Sequence, residues 1–389
     1  MYDPLRSRAA VASLVFARIV YAINWLNVGA IYVLMSPTFG VGTPGLGTLT
    51  SAFYLGLGLM QIPGGLLTAK WGPKRVVVLG IFLSSMSVLG TAASSSLTIT
   101  AVLRFLVGTG MACVFAPGVV LVARHLKGNT GLGVGLFNSA YDFGGVLGIF
   151  GWVVIATAEG WRQSLLLSGV LGLITGVLVI RVVPPDEGRS EFRVKAESLK
   201  RILMSRQLTL LGLVTFGLSV GNVLISSFMV EYLVNSLHYA PVIAGSVGSM
   251  VVVLPIFTAI WAGRAYARVL RPRLVLTLVV LGSALALFLC SFPNIYAALG
   301  CSVLGGVAAG IGYTFAFAGA KDLNSQGGQY DGLAISWVNA IQLTGDFVPP
   351  LFYTYFVGST GYSAAWGASA LLCFVFVVPL FFMVGRFRD

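Results

Sequence analysis

The chain has 389 residues, of which 57% are hydrophobic and 9% are charged, and it carries a formal net charge of +12. Because an ordinary soluble domain contains about a quarter charged residues, this composition excludes a water-soluble globular protein. The composition predicts an integral membrane protein.

The apolar residues form about twelve segments of the length that an α-helix needs to cross a bilayer, which is about 20 residues. Transmembrane β-strands alternate apolar and polar residues over about ten positions, whereas these runs are continuous and longer, so helices are predicted. Tight turns rich in Gly, Pro, Ser and Asn separate adjacent spans at residues 291–294 and 358–361. In chain order the predicted spans are residues 10–36, 46–69, 75–95, 99–123, 131–157, 163–182, 208–234, 240–263, 273–291, 295–320, 332–357 and 362–385.

The basic residues cluster in alternate loops, which indicates membrane topology rather than a nucleic-acid-binding patch. Of the 24 Lys and Arg residues, only Arg18, Arg104 and Arg162 lie outside the loops of one side. The positive-inside rule therefore predicts that both termini are cytoplasmic, in a multi-pass protein of the cell membrane.

A hydrophilic segment divides the predicted spans six and six. We predict an N-terminal six-helix bundle at 1–182, a cytoplasmic linker at 183–207 and a C-terminal six-helix bundle at 208–389. Basic, proline-containing turns follow spans two and eight, and similar eight-residue stretches begin at Asn138 and Asn339. Such repeated halves build a solute site near the bilayer midplane.

Several motifs together resemble the major facilitator superfamily. Span four contains the pattern Arg-x-x-x-Gly-x-Gly from Arg104 to Gly110, and the loop after span two is similar to Gly-x-x-x-Asp-Arg-x-Gly-Arg-Arg. Ala69 stands where the family usually has Asp, and Ala267 stands at the same place in the repeat copy. The resemblance implies an all-α membrane protein with twelve transmembrane helices in two pseudo-symmetric bundles, which works by alternating access as a monomer. The corresponding conformational-loop residues are Gly65, Lys70, Gly72, Lys74, Arg75 and Arg268.

Carboxylates within the spans are candidates for proton coupling. An ionised side chain at the bilayer centre costs at least about 2.5 to 3.5 kcal/mol, so it requires a partner, a cavity or a proton. Burial favours the neutral form of a carboxyl group and a nearby arginine opposes this effect. We predict proton-coupling roles for Asp142 and Asp346, near the middle of spans five and eleven, and for Glu231 in span seven. Alternatively, each aspartate is a fixed partner of Arg18 or Arg104, or caps a helix break.

A polar stripe in span one favours an anionic substrate. It begins at Arg18, and its positive charge, amides and aromatic rings suit a carboxylate or an inorganic oxyanion. The family resemblance implies that Arg104 takes part in substrate binding or proton movement. Alternatively, Arg18 extends to the cytoplasmic surface. The predicted substrate-binding residues are Arg18, Tyr21, Asn24, Arg104, Asn138, Asn222 and Asn339.

The predicted function is proton-coupled symport of a small organic or inorganic anion, with the substrate, a proton and the bilayer as partners. A drug or cation exporter and an uncoupled uniporter are the alternatives, although span five lacks the Gly-Pro pair of many exporters. No enzymatic activity, catalytic residue, metal or cofactor is predicted. His125 and His238 lie in different loops, the four cysteines fall in apolar spans, and the glycine pairs lack the lysine context of a phosphate-binding loop.

Overall fold

The computed structural model describes residues 4–125, 130–185, 196–266, 268–325 and 330–383, which form helices joined by short connections. In the first half of the chain these helices are α1 (Pro4–Ala30), α2 (Tyr32–Phe39), α3 (Thr43–Leu59), α4 (Gln61–Trp71), α5 (Pro73–Ala93), α6 (Leu97–Ala112), α7 (Phe115–His125), α8 (Thr130–Val146), α9 (Trp152–Glu159) and α10 (Trp161–Val182). In the second half they are α11 (Ala196–Leu203), α12 (Arg206–Asn235), α13 (Pro241–Tyr266), α14 (Pro272–Leu289), α15 (Ile295–Asp322), α16 (Asp331–Gly345), α17 (Val348–Thr360), α18 (Tyr362–Val375) and α19 (Val378–Phe381).

Ten helical segments of the described residues are long and apolar enough to cross a membrane. The other two predicted spans, 46–69 and 332–357, each consist of two shorter helices, α3 with α4 and α16 with α17. The second break lies at Asp346 and Phe347, directly before the prolines of the first turn of α17. Proline is tolerated there because the first turn of a helix has no intrahelical use for its missing N–H group.

The helices group into two compact units. The first unit comprises Met1–Val41 and Thr48–Glu191, and the second comprises Gly42–Gly47 and Phe192–Asp389. The start of α3 thus groups with the second unit. Much of the predicted linker (186–195), Ala267 and the basic residues Lys127, Arg386 and Arg388 lie outside the described residues.

Glycines bring helices of the first unit into close contact. A Cβ atom at Gly108 of α6 would lie 2.0 Å from the carbonyl oxygen of Phe53 on α3. A Cβ atom at Gly144 of α8 would lie 2.4 Å from the carbonyl oxygen of Ile19 on α1. The second contact matters for function because it places the polar residues of α8 beside Arg18.

The two helices that carry the candidate aspartates are both interrupted. A π-helical turn, Leu147–Gly151, follows α8 five residues after Asp142. Helix α16 ends at Gly345, so Asp346 lies at the break itself. Helix breaks of this kind occur in membranes where the freed backbone groups are enclosed by protein or line a cavity.

Candidate functional site

Arg18 of α1 lies in an aromatic cage in the first unit. Its Cζ atom is 4.3 Å from the ring centre of Tyr21, 4.7 Å from that of Phe115, 5.2 Å from that of Phe137 and 4.6 Å from that of Tyr141. The side chain is only 6% exposed, and its Nε and Nη1 atoms have no hydrogen-bond partner. Arg18 is therefore enclosed rather than extended to the surface; the rings supply cation–π attraction, and the hydroxyl group of Tyr21 forms a hydrogen bond with the Arg18 side chain.

Arg104 of α6 is the second enclosed cation of this unit. It is 2% exposed, and its Cζ atom lies 4.7 Å from the ring centre of Phe53. Its Nη1 atom donates to the backbone carbonyl of Asn24 at 3.4 Å, and its Nε atom has no partner. The one ion pair found among the described residues joins Arg201 to Glu197 at the surface. Arg104 therefore forms no ion pair with a described carboxylate, and its Nε–H group is free to donate a hydrogen bond.

Aromatic rings connect the surroundings of the two arginines. Trp25 of α1 lies at the centre, with its ring 5.6 Å from Tyr21, 5.6 Å from Tyr141, 5.2 Å from Phe53 and 5.9 Å from Tyr54. The Nε1 atom of Trp25 donates to the hydroxyl group of Tyr54 at 3.2 Å. These contacts hold α1, α3 and α8 together between the arginines.

Buried amides add acceptors to the same helix. Asn24 and Asn27 donate from Nδ2 to the carbonyl and the hydroxyl group of Ser168 at 3.4 and 3.2 Å. Their Oδ1 atoms are buried without a partner. Asn138, predicted for substrate binding, is exposed on α8.

Asp142 lies on α8 next to Tyr141, which covers Arg18. Its side chain is half-buried, and Arg18 is the charged residue that acts on it. The structure therefore associates Asp142 with Arg18 rather than with Arg104, the other partner considered for it. An arginine and a carboxyl group in one enclosed region allow anion binding and protonation to influence each other.

Asp346 of the second unit is fully buried and has only neutral partners. Its Oδ2 atom accepts hydrogen bonds from the hydroxyl group of Ser219 at 2.8 Å and from Nε2 of Gln342 at 3.2 Å. The Nε2 atom of Gln342 also lies 3.1 Å from the Ser219 hydroxyl oxygen. The Oδ1 atom of Asp346 and the Oε1 atom of Gln342 have no partner.

Glu231 of the second unit is also fully buried, but donors surround one of its oxygens. Oε1 accepts hydrogen bonds from the hydroxyl groups of Thr43 and Tyr362, both at 2.5 Å, and from Nδ2 of Asn235 at 3.0 Å. Its Oε2 atom has no partner. The predicted substrate residues Asn222 and Asn339 are half-buried, on α12 and α16.

A sequence model described as the Major Facilitator Superfamily matches residues 14–221, which is more than half of the chain. The chain belongs to the major facilitator superfamily. The resemblance drawn from the motifs is confirmed, as is the all-α membrane fold. The superfamily and the relatives described below are transporters rather than enzymes.

Three curated relatives of this superfamily align with part of the chain. A probable sulfoacetate transporter of Cupriavidus necator is 28% identical over 181 residues, which is 46% of this chain and 42% of the relative. A probable galactarate/D-glucarate transporter of Escherichia coli is 28% identical over 227 residues, or 53% and 50%. A 4-hydroxybenzoate transporter of Pseudomonas aeruginosa is 26% identical over 157 residues, or 40% and 35%. The chain therefore spans half or less of the length of these relatives.

A solved structure supports the superfamily fold over nearly the whole chain. It is a crystal structure of a bacterial homologue of the human lysosomal transporter Spinster, in an inward-facing and occupied conformation. The TM-score is 0.73 at 15% sequence identity, with 98% of this chain and 97% of that chain covered. At this identity the likeness concerns the fold alone.

Residues that resemble the loop motif of the superfamily lie in α4 (Gly65 and Lys70) and at the start of α5 (Lys74 and Arg75). Gly72 joins these helices with a φ of +86°, a left-handed conformation that favours glycine. Lys74 donates from Nζ to the carbonyl of Ile180 near the end of α10, at 2.9 Å. The other matched residues, Gly65, Lys70, Arg75 and Arg268, are exposed.

The neighbours of the charged residues are candidate site residues that the sequence analysis missed. Phe115 and Phe137 come from α7 and α8 to cover Arg18, and Ser219 comes from α12 to reach Asp346. Packing between helices distant in sequence creates these contacts, which leave no local pattern. Gln342 is the exception, because its spacing of four residues from Asp346 places both on one helix face.

Proposed function

We propose that this protein is a secondary active transporter that carries a small organic anion into the cell together with a proton. The observation that carries the proposal is the pair of enclosed arginines in the first unit: Arg18 has two unpartnered nitrogen atoms, Nε and Nη1, and Arg104 has one, Nε. A buried donor without an acceptor costs about 1 to 3 kcal/mol, and more when it is charged. A bound carboxylate or sulfonate would remove that cost and form strong, charge-assisted hydrogen bonds.

The surroundings of the arginines favour an organic anion over a bare inorganic one. The rings of Tyr21, Trp25, Phe53 and Tyr141 offer apolar surface for a carbon skeleton. Tyr21 and the buried amide of Asn24 add polar contacts beside the charges. The three relatives are named for sulfoacetate, galactarate or glucarate, and 4-hydroxybenzoate, all of which are organic anions at neutral pH. We include Asn138, Asn222 and Asn339 as further substrate-binding residues.

Asp142 is the group that we propose couples the proton to the anion. An anion held by Arg18 brings a second negative charge close to the Asp142 carboxylate. Uptake of a proton by Asp142 removes that repulsion, so anion and proton bind together. We further propose proton-coupling roles for Asp346 and Glu231, whose buried carboxyl groups lie in the second unit.

The transport cycle that we propose is alternating access by a monomer in the cell membrane, with both termini in the cytoplasm. Residues 1–182 and 208–389 form the two bundles, and residues 183–207 form the cytoplasmic linker. The motif residues Gly65, Lys70, Gly72, Lys74, Arg75 and Arg268 would control the change of conformation. The hydrogen bond from Lys74 supports this role, because it joins the start of α5 to the end of α10.

Proteoliposomes that contain a pH-sensitive dye test the proposal. Sulfoacetate, galactarate, 4-hydroxybenzoate, phosphate, glucose and a lipophilic amine are added outside in turn, with protein-free liposomes as the control. Internal acidification on addition of an organic anion is the expected result. Proton movement with the amine alone would instead establish an exporter, and anion uptake without proton movement would establish a uniporter.

A further inference from the structure

Two acceptor oxygens of the second unit are buried without donors in the same group of side chains. Asp346 and Gln342 are 0% and 6% exposed, and the third member, Ser219, is 1% exposed. The amide nitrogen of Gln342 already donates to Oδ2 of Asp346. The unpartnered atoms are the other oxygen of the carboxyl group and the oxygen of the amide.

A carboxylic acid and an amide have complementary hydrogen-bonding groups. The amide N–H donates to one carboxyl oxygen, and the O–H of the protonated acid donates to the amide oxygen. The first of these bonds is present between Gln342 and Asp346. One proton on Oδ1 of Asp346 supplies the missing donor, and it gives partners to both unpartnered oxygens.

Among the described residues, no charged group is found to act on Asp346. Apart from burial, only the hydrogen bonds of Ser219 and Gln342 act on it. Helices α11, α12 and α15 pack against α16. Among the described residues, the titratable groups of these four helices are Glu197, Lys200, Arg201, Arg206, Glu231, Tyr232, Tyr296, Cys301, Tyr313, Lys321, Asp322 and Asp331.

The charged groups nearest in sequence to Ser219 on α12 are distant from it, so the surroundings of Asp346 are neutral. On α12, Arg206 and Glu231 are each at least 12 residues from Ser219, which is roughly 18 Å along a helix axis. Gly312 of α15 packs on Leu218, which precedes Ser219, and the residue next to Gly312 is the aromatic Tyr313. From α18, Cys373 donates to the carbonyl of Gly217 as a neutral thiol.

From this geometry we infer that Asp346, Gln342 and Ser219 form a proton-binding site, occupied by one proton in this structure and separate from the arginine-lined anion site. The proton enters from water, forms the O–H bond on Oδ1 of Asp346 and donates to Oε1 of Gln342. The position of Asp346 at the break between α16 and α17 gives the proton an exit when this break changes shape. Phe216 packs against Gly345, the residue that precedes Asp346.

The inference rests on the proposed function only for its role in coupling, because proton occupancy can be measured without any transported anion. Difference infrared spectroscopy of the full-length protein in lipid, between neutral and alkaline pH, reports the carbonyl stretch of protonated carboxyl groups. Asp346→Asn should remove one carboxyl band, and Glu231→Gln, which alters the other fully buried carboxyl group of this unit, should leave that band in place.

Variants of the neutral partners keep the test valid if Asp346→Asn fails to fold. Gln342→Leu removes the acceptor of the Asp346 O–H group, so the band should move to higher frequency. Ser219→Ala should shift it as well, because the carbonyl oxygen loses a donor. An unchanged spectrum in Asp346→Asn, or in both partner variants, would overturn the inference.

Sodium ions provide the last arm of the test. Loss of the Asp346 band when sodium chloride is added at constant pH, but not with choline chloride, would show a sodium site and overturn the proton assignment. Addition of sulfoacetate should leave the band in place because the arginines proposed to hold the anion lie in the first unit. Failure of every anion to be transported would contradict the proposed function and leave the infrared result intact.

Discussion

The buried carboxyl groups of this protein differ in the charge beside them. Asp142 is half-buried and has the Arg18 charge as its neighbour, whereas Asp346 is fully buried among neutral groups. Protonation of a carboxyl group beside an arginine depends on whether an anion is bound to the same arginine. Protonation of a carboxyl group without a charged neighbour depends on the access of water to that group. The two residues are therefore expected to exchange protons at different steps.

Asp142→Asn should abolish the uptake of a proton on anion binding. In wild-type protein, an anion at Arg18 adds negative charge beside Asp142, and protonation compensates for it. Addition of a transported anion to detergent-solubilised protein in weakly buffered solution should raise the pH, and the variant should show no rise. Calorimetry checks that the variant still binds the anion. Asp346→Asn and Glu159→Gln, the latter at an exposed site, should behave as wild type. A normal pH rise in Asp142→Asn would leave this residue with a structural role.

Arg104→Lys should weaken anion binding while the protein remains folded. Arg162 of the same unit provides a contrast, because its guanidinium group donates three hydrogen bonds, to the carbonyls of Ala92 and Ser94 and to the hydroxyl group of Ser95. Arg104 keeps an unpartnered Nε atom, and lysine cannot reproduce its planar set of donors. Loss of one charge-assisted hydrogen bond should raise the half-saturation concentration about tenfold.

The control for this prediction is Arg181→Lys, which makes the same change at an exposed position on α10. Its half-saturation concentration should remain at the wild-type value. An unchanged value for Arg104→Lys, measured as initial rates of anion uptake into proteoliposomes, would count against a role of Arg104 in binding.

At the scale of helices, glycine contacts fix the positions of the site residues. Phe53 packs on Arg104 through its ring, and its carbonyl oxygen faces Gly108 one helical turn further along α6. The complementary contact joins Gly56 of α3 to the carbonyl oxygen of Phe105, with a Cβ atom at Gly56 only 2.1 Å away. The close approach of α3 and α6 therefore sets the distance between the aromatic rings and Arg104.

Gly108→Ala should destabilise the protein. The added methyl group would lie 2.0 Å from a backbone oxygen, so α3 and α6 must separate, which typically costs about 1 to 3 kcal/mol. The melting temperature in detergent should fall, and anion affinity should fall with it because Phe53 moves away from Arg104. Gly263→Ala is the matched control, since a Cβ atom there meets nothing within 4 Å. Equal melting temperatures for both variants would show that α3 moves away from α6 without a loss of stability.

The sequence predicts whole helices better than their interruptions. Continuous apolar runs locate the spans, because a bilayer requires length and hydrophobicity above all. The break at Asp346 and Phe347 has a local signal in the prolines that follow, Pro349 and Pro350. The π-helical turn after α8 has none, because the packing of α8 against α1 is set by residues distant in sequence. Charges in apolar runs mark the site residues, but the sequence does not show which rings and amides surround them.

At the scale of the whole molecule, each unit contains its own chemistry. The first unit holds the arginines and aromatic rings proposed for the anion, and the second holds two fully buried carboxyl groups without a cation among their hydrogen-bond partners. Asp142, the group proposed to couple the proton to the anion, also lies in the first unit, so the carboxyl groups of the second unit are expected to act at a different step of an alternating-access cycle. Net transport then requires both units, whereas exchange of one anion for another requires only the first.

The orientation of the whole chain in the membrane is open to a direct test. All four native cysteines, Cys113, Cys290, Cys301 and Cys373, are buried, so the wild-type protein should react little with a membrane-impermeant maleimide. Lys70 and Glu159 are exposed near the ends of α4 and α9, and the predicted topology places them on opposite sides of the membrane. The positive-inside rule places Lys70 in the cytoplasm and Glu159 outside. The maleimide should therefore label Glu159→Cys in intact cells at once and Lys70→Cys only after permeabilisation.

The reverse pattern would invert the topology, place both termini outside and remove the basis for an inward direction of transport. Labelling of both positions in intact cells would show that the number of spans between them is even, and the interrupted segment formed by α8 and α9 would then be the first to re-examine as a full crossing.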